Sequence, residues 1–166
     1  MDASKSLLDR FLNTDNFLAA YSRIRTKGAS GGIDHVTLET FDQRLDRNIN
    51  DLISEIRSGS YCPSPVSSVY IPKFNEEREW RRLGLPTIRD KVAQMACLQV
   101  VEPMAERLFL NTSYSYRRGK ERHKALARVE HNLKYGKMEW AALTDIDNSF
   151  DNVSHSWPPS SSSYWI

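Results

Sequence analysis

Between Arg117 and Lys134 stand seven basic residues, Arg117, Arg118, Lys120, Arg122, Lys124, Arg128 and Lys134, against only Glu121 and Glu130. The local excess is five positive charges in a chain whose formal net charge is +2. Tyr114 and Tyr116 lead into the run. Cations interleaved with aromatics suit a nucleic-acid strand: the cations displace counterions from phosphates and the rings stack on bases. The same run also fits an ordinary solvated helix face. A second basic group comprises Lys73, Arg78, Arg81, Arg82 and Arg89, diluted by Glu76, Glu77 and Glu79. That mixture fits a loop that meets a small charged ligand rather than a long duplex.

Other chemistries find little support. Cys62 and Cys97 are isolated and lack metal-ligand spacing, so they read as ordinary reduced thiols. His35, His123, His131 and His155 form no ligand pattern either. No run approaches the roughly 18 apolar residues that a membrane span needs. The first residues, Met1-Asp2-Ala3-Ser4-Lys5, lack the apolar core of a secretion signal, so the expected location is cytoplasmic. With 166 residues, 40% hydrophobic and 27% charged, the chain can bury one substantial core, or one domain and part of another.

The elements that must position these residues follow from apolar spacing. Two short helices open the chain, carrying Leu7, Leu8, Phe11 and Leu12, then Phe17, Ala20, Tyr21 and Ile24, with Thr14 capping the second. Lys27-Gly28-Ala29-Ser30-Gly31-Gly32 breaks regularity. Thr37 then caps one longer helix with Leu38, Phe41, Leu45, Ile49, Leu52, Ile53 and Ile56 on a stripe, stopped at Ser58-Gly59-Ser60. Tyr61-Cys62-Pro63-Ser64-Pro65 favours an extended entry into a strand over 66–71, returning as a hairpin through Leu83-Gly84-Leu85. A helix over about 88–109 should kink or split at Pro103. Another, over about 121–134, turns Leu126, Val129 and Leu133 inward, and Ala141 to Ile146 reads as a short buried strand. Trp157-Pro158-Pro159 and the four serines after it cannot continue a packed element. They read as a tail foreign to the domain, or as a natural flexible terminus.

Four segments, in this order, resemble the prokaryotic reverse transcriptases of group II introns. They are Gly31-Gly32-Ile33-Asp34 with the later Tyr61-x-Pro63-x-Pro65-Val66; Val69-Tyr70-Ile71-Pro72-Lys73 with Arg81 to Lys91; Ser113 to Lys120 with His123 and Ala125-Leu126; and Thr144-Asp145-Ile146-Asp147-Asn148-Ser149-Phe150-Asp151-Asn152-Val153-Ser154-His155. The resemblance implies an α+β fold: mainly helical fingers with a β-hairpin, then the first strand of a polymerase palm. It divides the chain into a helical extension (1–27), fingers (28–139), the start of the palm (140–155) and the tail (156–166). It also implies RNA-directed DNA polymerisation, with an RNA template or intron RNA, a DNA primer and deoxynucleotide triphosphates as partners.

By the same resemblance, Asp145 is the first catalytic carboxylate and, with the carbonyl of Ile146, a ligand of one of two Mg²⁺ ions. Phe150 underlies the incoming sugar and rejects a 2′-hydroxyl. Lys73 and Arg81 reach the triphosphate, although Arg78 and Arg82 compete for that role because Arg82 stands where relatives have proline. Arg117, Arg118, Lys120 and His123 lie near template and nucleotide, with Ser115 and Arg118 in place of a usual glycine and proline. Asp147 and Asn148 replace a Lys-Gly pair and put an extra carboxylate near the metal site. The family's later Asp-Asp pair occurs nowhere in the chain. The expectation is therefore the front part of such an enzyme, inactive alone. Two alternatives remain: an RNA-binding maturase module, or a piece of a CRISPR-associated, retron or phage-defence reverse transcriptase. An inert decaying gene product is a third, in which the inner face of the Leu143 strand is left exposed.

Overall fold

A computed structural model of the chain describes residues 6–72, 80–136, 138, 140–146 and 152. They form α1 (Leu7–Phe11), α2 (Thr14–Thr26), α3 (Leu38–Asp42), α4 (Leu45–Ser58), β1 (Ser67–Pro72), β2 (Trp80–Leu85), α5 (Ile88–Leu108) and α6 (Arg122–Tyr135). The chain divides into two compact units, Met1–Leu110 and Asn111–Ile166. Helices with a two-stranded antiparallel sheet are compatible with the α+β class.

The first unit is built where the sequence stripes converge. Phe17, Ala20, Tyr21 and Ile24 of α2 are buried against Ile49, Leu52 and Ile53 of α4 and Ile88, Val92, Ala93 and Ala96 of α5, with Phe41 of α3. Burying such side chains fully contributes roughly 1.5–3 kcal/mol each. Polar ties fix how α2 lies on α5. Asn16 Nδ2 donates to the Ala96 carbonyl at 3.1 Å, and Gln99 Nε2 donates back to Asn16 Oδ1 at 2.8 Å.

Several boundaries differ from the sequence reading. The cap of α2 is Asn13, not Thr14: Asn13 Oδ1 accepts from Asp15 N at 2.8 Å, and Thr14 is the first helical residue. Thr37 caps as expected, accepting from Thr40 N at 3.2 Å, but the helix it starts ends at Asp42. Asn48 explains the break. Its Nδ2 reaches back to the Phe41 carbonyl at 3.0 Å, satisfying a helix-end acceptor while Arg44 leaves helical geometry (φ −136°, ψ 36°). Gly59 ends α4 in the left-handed conformation (φ +75°) as expected. Pro103 does not split α5, which spans 21 residues and continues to Leu108.

The second unit departs further from expectation. Leu126, Val129 and Leu133 lie on α6 but are 61%, 51% and 45% exposed, so that stripe does not face a core among the described residues. Residues 140–146 form no strand, and Leu143 is 99% exposed. Among the described residues the sheet holds β1 and β2 alone, so this segment has no ladder partner there to complete a strand's hydrogen bonds.

Tyr21 couples this core to pH. Its hydroxyl donates to Asp42 Oδ1 at 2.7 Å and its ring stacks on Phe41 with centroids 5.3 Å apart. Burial first, then the bond to the Asp42 carboxylate, pushes the phenol up to about 12 from its ordinary 10. Tyr61 is raised in the same direction, by burial and then by Asp90. Because the folded value lies above the unfolded one, Tyr21 contributes stability that is complete below pH 10 and is lost as pH climbs through about 12. Circular dichroism across an alkaline titration should show cooperative unfolding in that window. Tyr21→Phe, which cannot ionise, should flatten the pH dependence there while lowering stability at neutral pH.

Candidate nucleic-acid interface

In the first unit the basic residues hang on a hairpin whose base is tied to α5. Its register pairs Ser67 with Leu85, Val69 with Leu83, Ile71 with Arg81, Tyr70 with Arg82 and Pro72 with Trp80. Opposed residues share a face and successive ones alternate. Arg81 therefore belongs to the face of Val69, Ile71 and Leu83, and Arg82 to the face of Tyr70 and Trp80. The two arginines cannot serve one ligand from one side of the ribbon. Both faces are open, with Tyr70 61% exposed on one and Leu83 46% exposed on the other. Lys73, Arg78 and the glutamates of the tip lie outside the described residues.

The tie is the Asp90 carboxylate, 3% exposed in the first turn of α5. Thr87 caps that helix, accepting from Asp90 N at 3.1 Å and donating through Oγ1 to Asp90 Oδ2 at 2.7 Å. The other bonds come from the segment that feeds β1. Tyr61 Oη donates to Oδ1 at 2.6 Å and Ser64 N donates to Oδ2 at 3.1 Å. One buried anion thus holds both the chain entering the hairpin and the chain leaving it. The sequence reading assigned Asp90 no role. The Thr87-x-x-Asp90 spacing signals a cap, but nothing in the sequence reveals Tyr61, 29 positions away.

Arg89, next to that anchor, is turned back into the fold. Its Nη2 lies 2.6 Å from Glu55 Oε2 in an ion pair too poorly aligned to be a hydrogen bond, and its guanidinium sits over the Tyr61 ring. On the other side, the Gly31-Gly32 turn packs on the start of α5, and Lys91 Nζ donates to the Ser30 carbonyl at 2.6 Å. Burial lowers the Lys91 ammonium from its usual range, against the pull of Asp34.

In the second unit the basic run divides into two groups. Arg117 Nη1 donates to the Ser113 carbonyl at 2.7 Å, Lys120 Nζ reaches the Asn111 carbonyl at 3.4 Å, and Lys124 Nζ donates to the Gly119 carbonyl at 2.8 Å. Lys134 pairs with Glu130 at 2.5 Å. Among the described residues, the side chains of Arg118, Arg122 and Arg128 make no hydrogen bond or ion pair, and all three residues are exposed. His123 is exposed beside them.

Asp145 and Ile146 are also exposed, and Asp145 Oδ1 accepts from the Ile146 amide at 2.9 Å. The donor is of the right kind for a hard divalent cation, but no group of three His, Cys, Asp or Glu that could hold one forms among the described residues. Asp147, Asn148 and Phe150 lie outside them. No helix among the described residues is long and apolar enough to cross a membrane.

Known proteins decide the kinship. No family model matches the sequence. The group II intron-encoded protein LtrA of Lactococcus lactis is 33% identical over 147 residues, 87% of this chain and 23% of LtrA. Over most of its length this chain is homologous to group II intron-encoded proteins. The putative COX1/OXI3 intron 1 protein of Saccharomyces cerevisiae is 26% identical over 152 residues, 92% of this chain and 18% of that protein. The Escherichia coli protein YkfC is 34% identical over 152 residues, 88% of this chain and 39% of YkfC. The chain thus spans well under half the length of each of these relatives.

Proposed function

We propose that this chain is the part of a group II intron-type, RNA-directed DNA polymerase that grips template and incoming nucleotide. The observation that carries the reading is the similarity to intron-encoded proteins over nearly nine-tenths of the chain. The four ordered segments and the basic hairpin rooted on Asp90 support it. In this reading Lys73 and Arg81 meet triphosphate oxygens, where an Arg fork donates two parallel bonds. Arg82, on the other face of the ribbon, is left to the template side. Arg117, Arg118, Lys120 and His123 border the RNA, and Phe150 lies under the sugar. The partners are intron or template RNA, a DNA primer and deoxynucleotide triphosphates.

Asp145, with the Ile146 carbonyl, is the first anchor for Mg²⁺. Two-metal polymerisation needs further carboxylates to hold the second ion and steady the leaving group. The described donors do not complete such a site, so no catalytic step is assigned to this chain's residues.

Two measurements test the reading. Primer extension on an RNA template with Mg²⁺ should give no product from the 166-residue chain. Extension that vanishes with Asp145→Ala would overturn that expectation. The chain should nevertheless bind RNA in a salt-dependent way. Replacing Arg118, Arg122 and Arg128 together by alanine should weaken binding about tenfold or more and reduce the log–log salt slope by roughly 2, at about 0.7 per single-strand phosphate contact. No binding at low salt, or a triple variant with an unchanged slope, would sink the RNA-binding reading.

A further inference from the structure

We propose that the turn from Ser113 to Lys120 is a base-stacking subsite, in which the Tyr116 ring is the platform for an unpaired nucleotide of single-stranded RNA. The proposal rests on the RNA-binding reading above and deepens it. The two tyrosines of this turn have different surroundings. Tyr114 is half-buried and its ring carries the Lys120 ammonium at 5.4 Å from the centroid, so one face is already taken. Tyr116 is 100% exposed and its backbone is left-handed, with φ +57°. A bulky residue rarely adopts that conformation without a compensating constraint. An aromatic that covers nothing in its own unit contributes no burial in return.

The constraint comes from hydrogen bonds around the turn. Arg117 Nη1 bonds the Ser113 carbonyl, Lys120 N bonds the Arg117 carbonyl at 3.2 Å, and Lys124 Nζ bonds the Gly119 carbonyl. Arg117 and Lys124 thus spend side-chain donors on closing the turn rather than on facing a ligand. What the turn presents outward is the Tyr116 ring, with the exposed, unpaired Arg118 two positions on. A ring for a base and a cation for the adjoining phosphate make a site for one nucleotide of a flexible strand. In a duplex the bases are already stacked and no face is available.

The test uses the full chain and a fluorescently labelled, unstructured RNA of about 12 nucleotides, beside a blunt duplex of the same length. Tyr116→Phe keeps the ring and should bind the single strand within about twofold of the parent. Tyr116→Gly suits the left-handed backbone, so the fold is not penalised by strain, yet it removes the platform. It should weaken single-strand binding about tenfold and leave duplex binding nearly unchanged. If Tyr116→Gly binds the single strand like the parent, or loses both RNAs equally, the stacking proposal fails while the RNA-binding reading stands. If the parent chain binds neither RNA, both fail.

Discussion

Asp90→Ala should destabilise the first unit by about 4 kcal/mol, because it strands several donors at once. Tyr61 Oη, Thr87 Oγ1 and Ser64 N all point at a carboxylate that the alanine lacks, in a pocket where Asp90 is 3% exposed. Hydrogen bonds to a charged group contribute about 1.5–3 kcal/mol each, and a buried donor left without a partner costs roughly 1–3 kcal/mol. Water admitted to the cavity and relaxation of the 61–66 segment keep the total below the simple sum. Graded variants separate the contributions. Tyr61→Phe removes one bond from a half-buried ring and should cost about 1 kcal/mol. Asp90→Asn keeps one acceptor but turns an amide NH2 toward a donor, and should fall between, near 2 kcal/mol. Urea denaturation of the full chain, followed by far-ultraviolet circular dichroism, reads all three. If Asp90→Ala costs no more than Tyr61→Phe, the carboxylate is not the anchor of the hairpin. Because the same anion holds the strand entering the ribbon and the helix after it, the variant should also weaken RNA binding through lost geometry, with Arg81 and Arg82 themselves intact.

The difference between what spacing reveals and what it hides can be followed residue by residue. Phe17, Ala20, Tyr21 and Ile24 recur at helical intervals and are buried, because α4 and α5 both lie against that stripe. Leu126, Val129 and Leu133 recur just as regularly and are exposed. Periodicity states which residues face together; it says nothing of whether a partner lies opposite. The break at Gln43 and Arg44 was hidden for a similar reason. The apolar rhythm from Leu38 to Ile53 continues across it, and the deciding group is the polar Asn48, whose amide satisfies the Phe41 carbonyl. Arg81 and Arg82 show the opposite case. Their separation onto two faces follows from the two-residue period of a strand, once the pairing of Ile71 with Arg81 and Tyr70 with Arg82 is known. The basic run was legible as a charge excess. Its division into cations that close a turn and cations that face outward depends on which carbonyls lie within reach, and that is a property of the folded turn alone.

Gly32→Ala should cost about 3 kcal/mol, for steric rather than conformational reasons. A Cβ at this position would stand 2.6 Å from Thr87 N, 2.7 Å from Thr87 Cα and 2.8 Å from the Pro86 carbonyl carbon. All three are backbone atoms, so no flexible side chain can swing aside. Thr87 cannot yield either, since its hydroxyl is engaged with Asp90 from both directions. The turn must therefore lift off the start of α5, straining the 2.6 Å contact between Lys91 Nζ and the Ser30 carbonyl. Gly28 supplies the control. It has a left-handed backbone (φ +63°) but no atom within 4 Å of an added Cβ, so Gly28→Ala carries only the conformational penalty, about 1 kcal/mol. Equal losses for the two variants in urea melts would mean that close packing on Thr87 is not what position 32 requires. A clearly larger loss for Gly32→Ala, with hydrogen exchange accelerated in the first turn of α5, is the expected result. It would mark the Gly31-Gly32 turn as a brace on the same helix start from which Asp90 holds the hairpin.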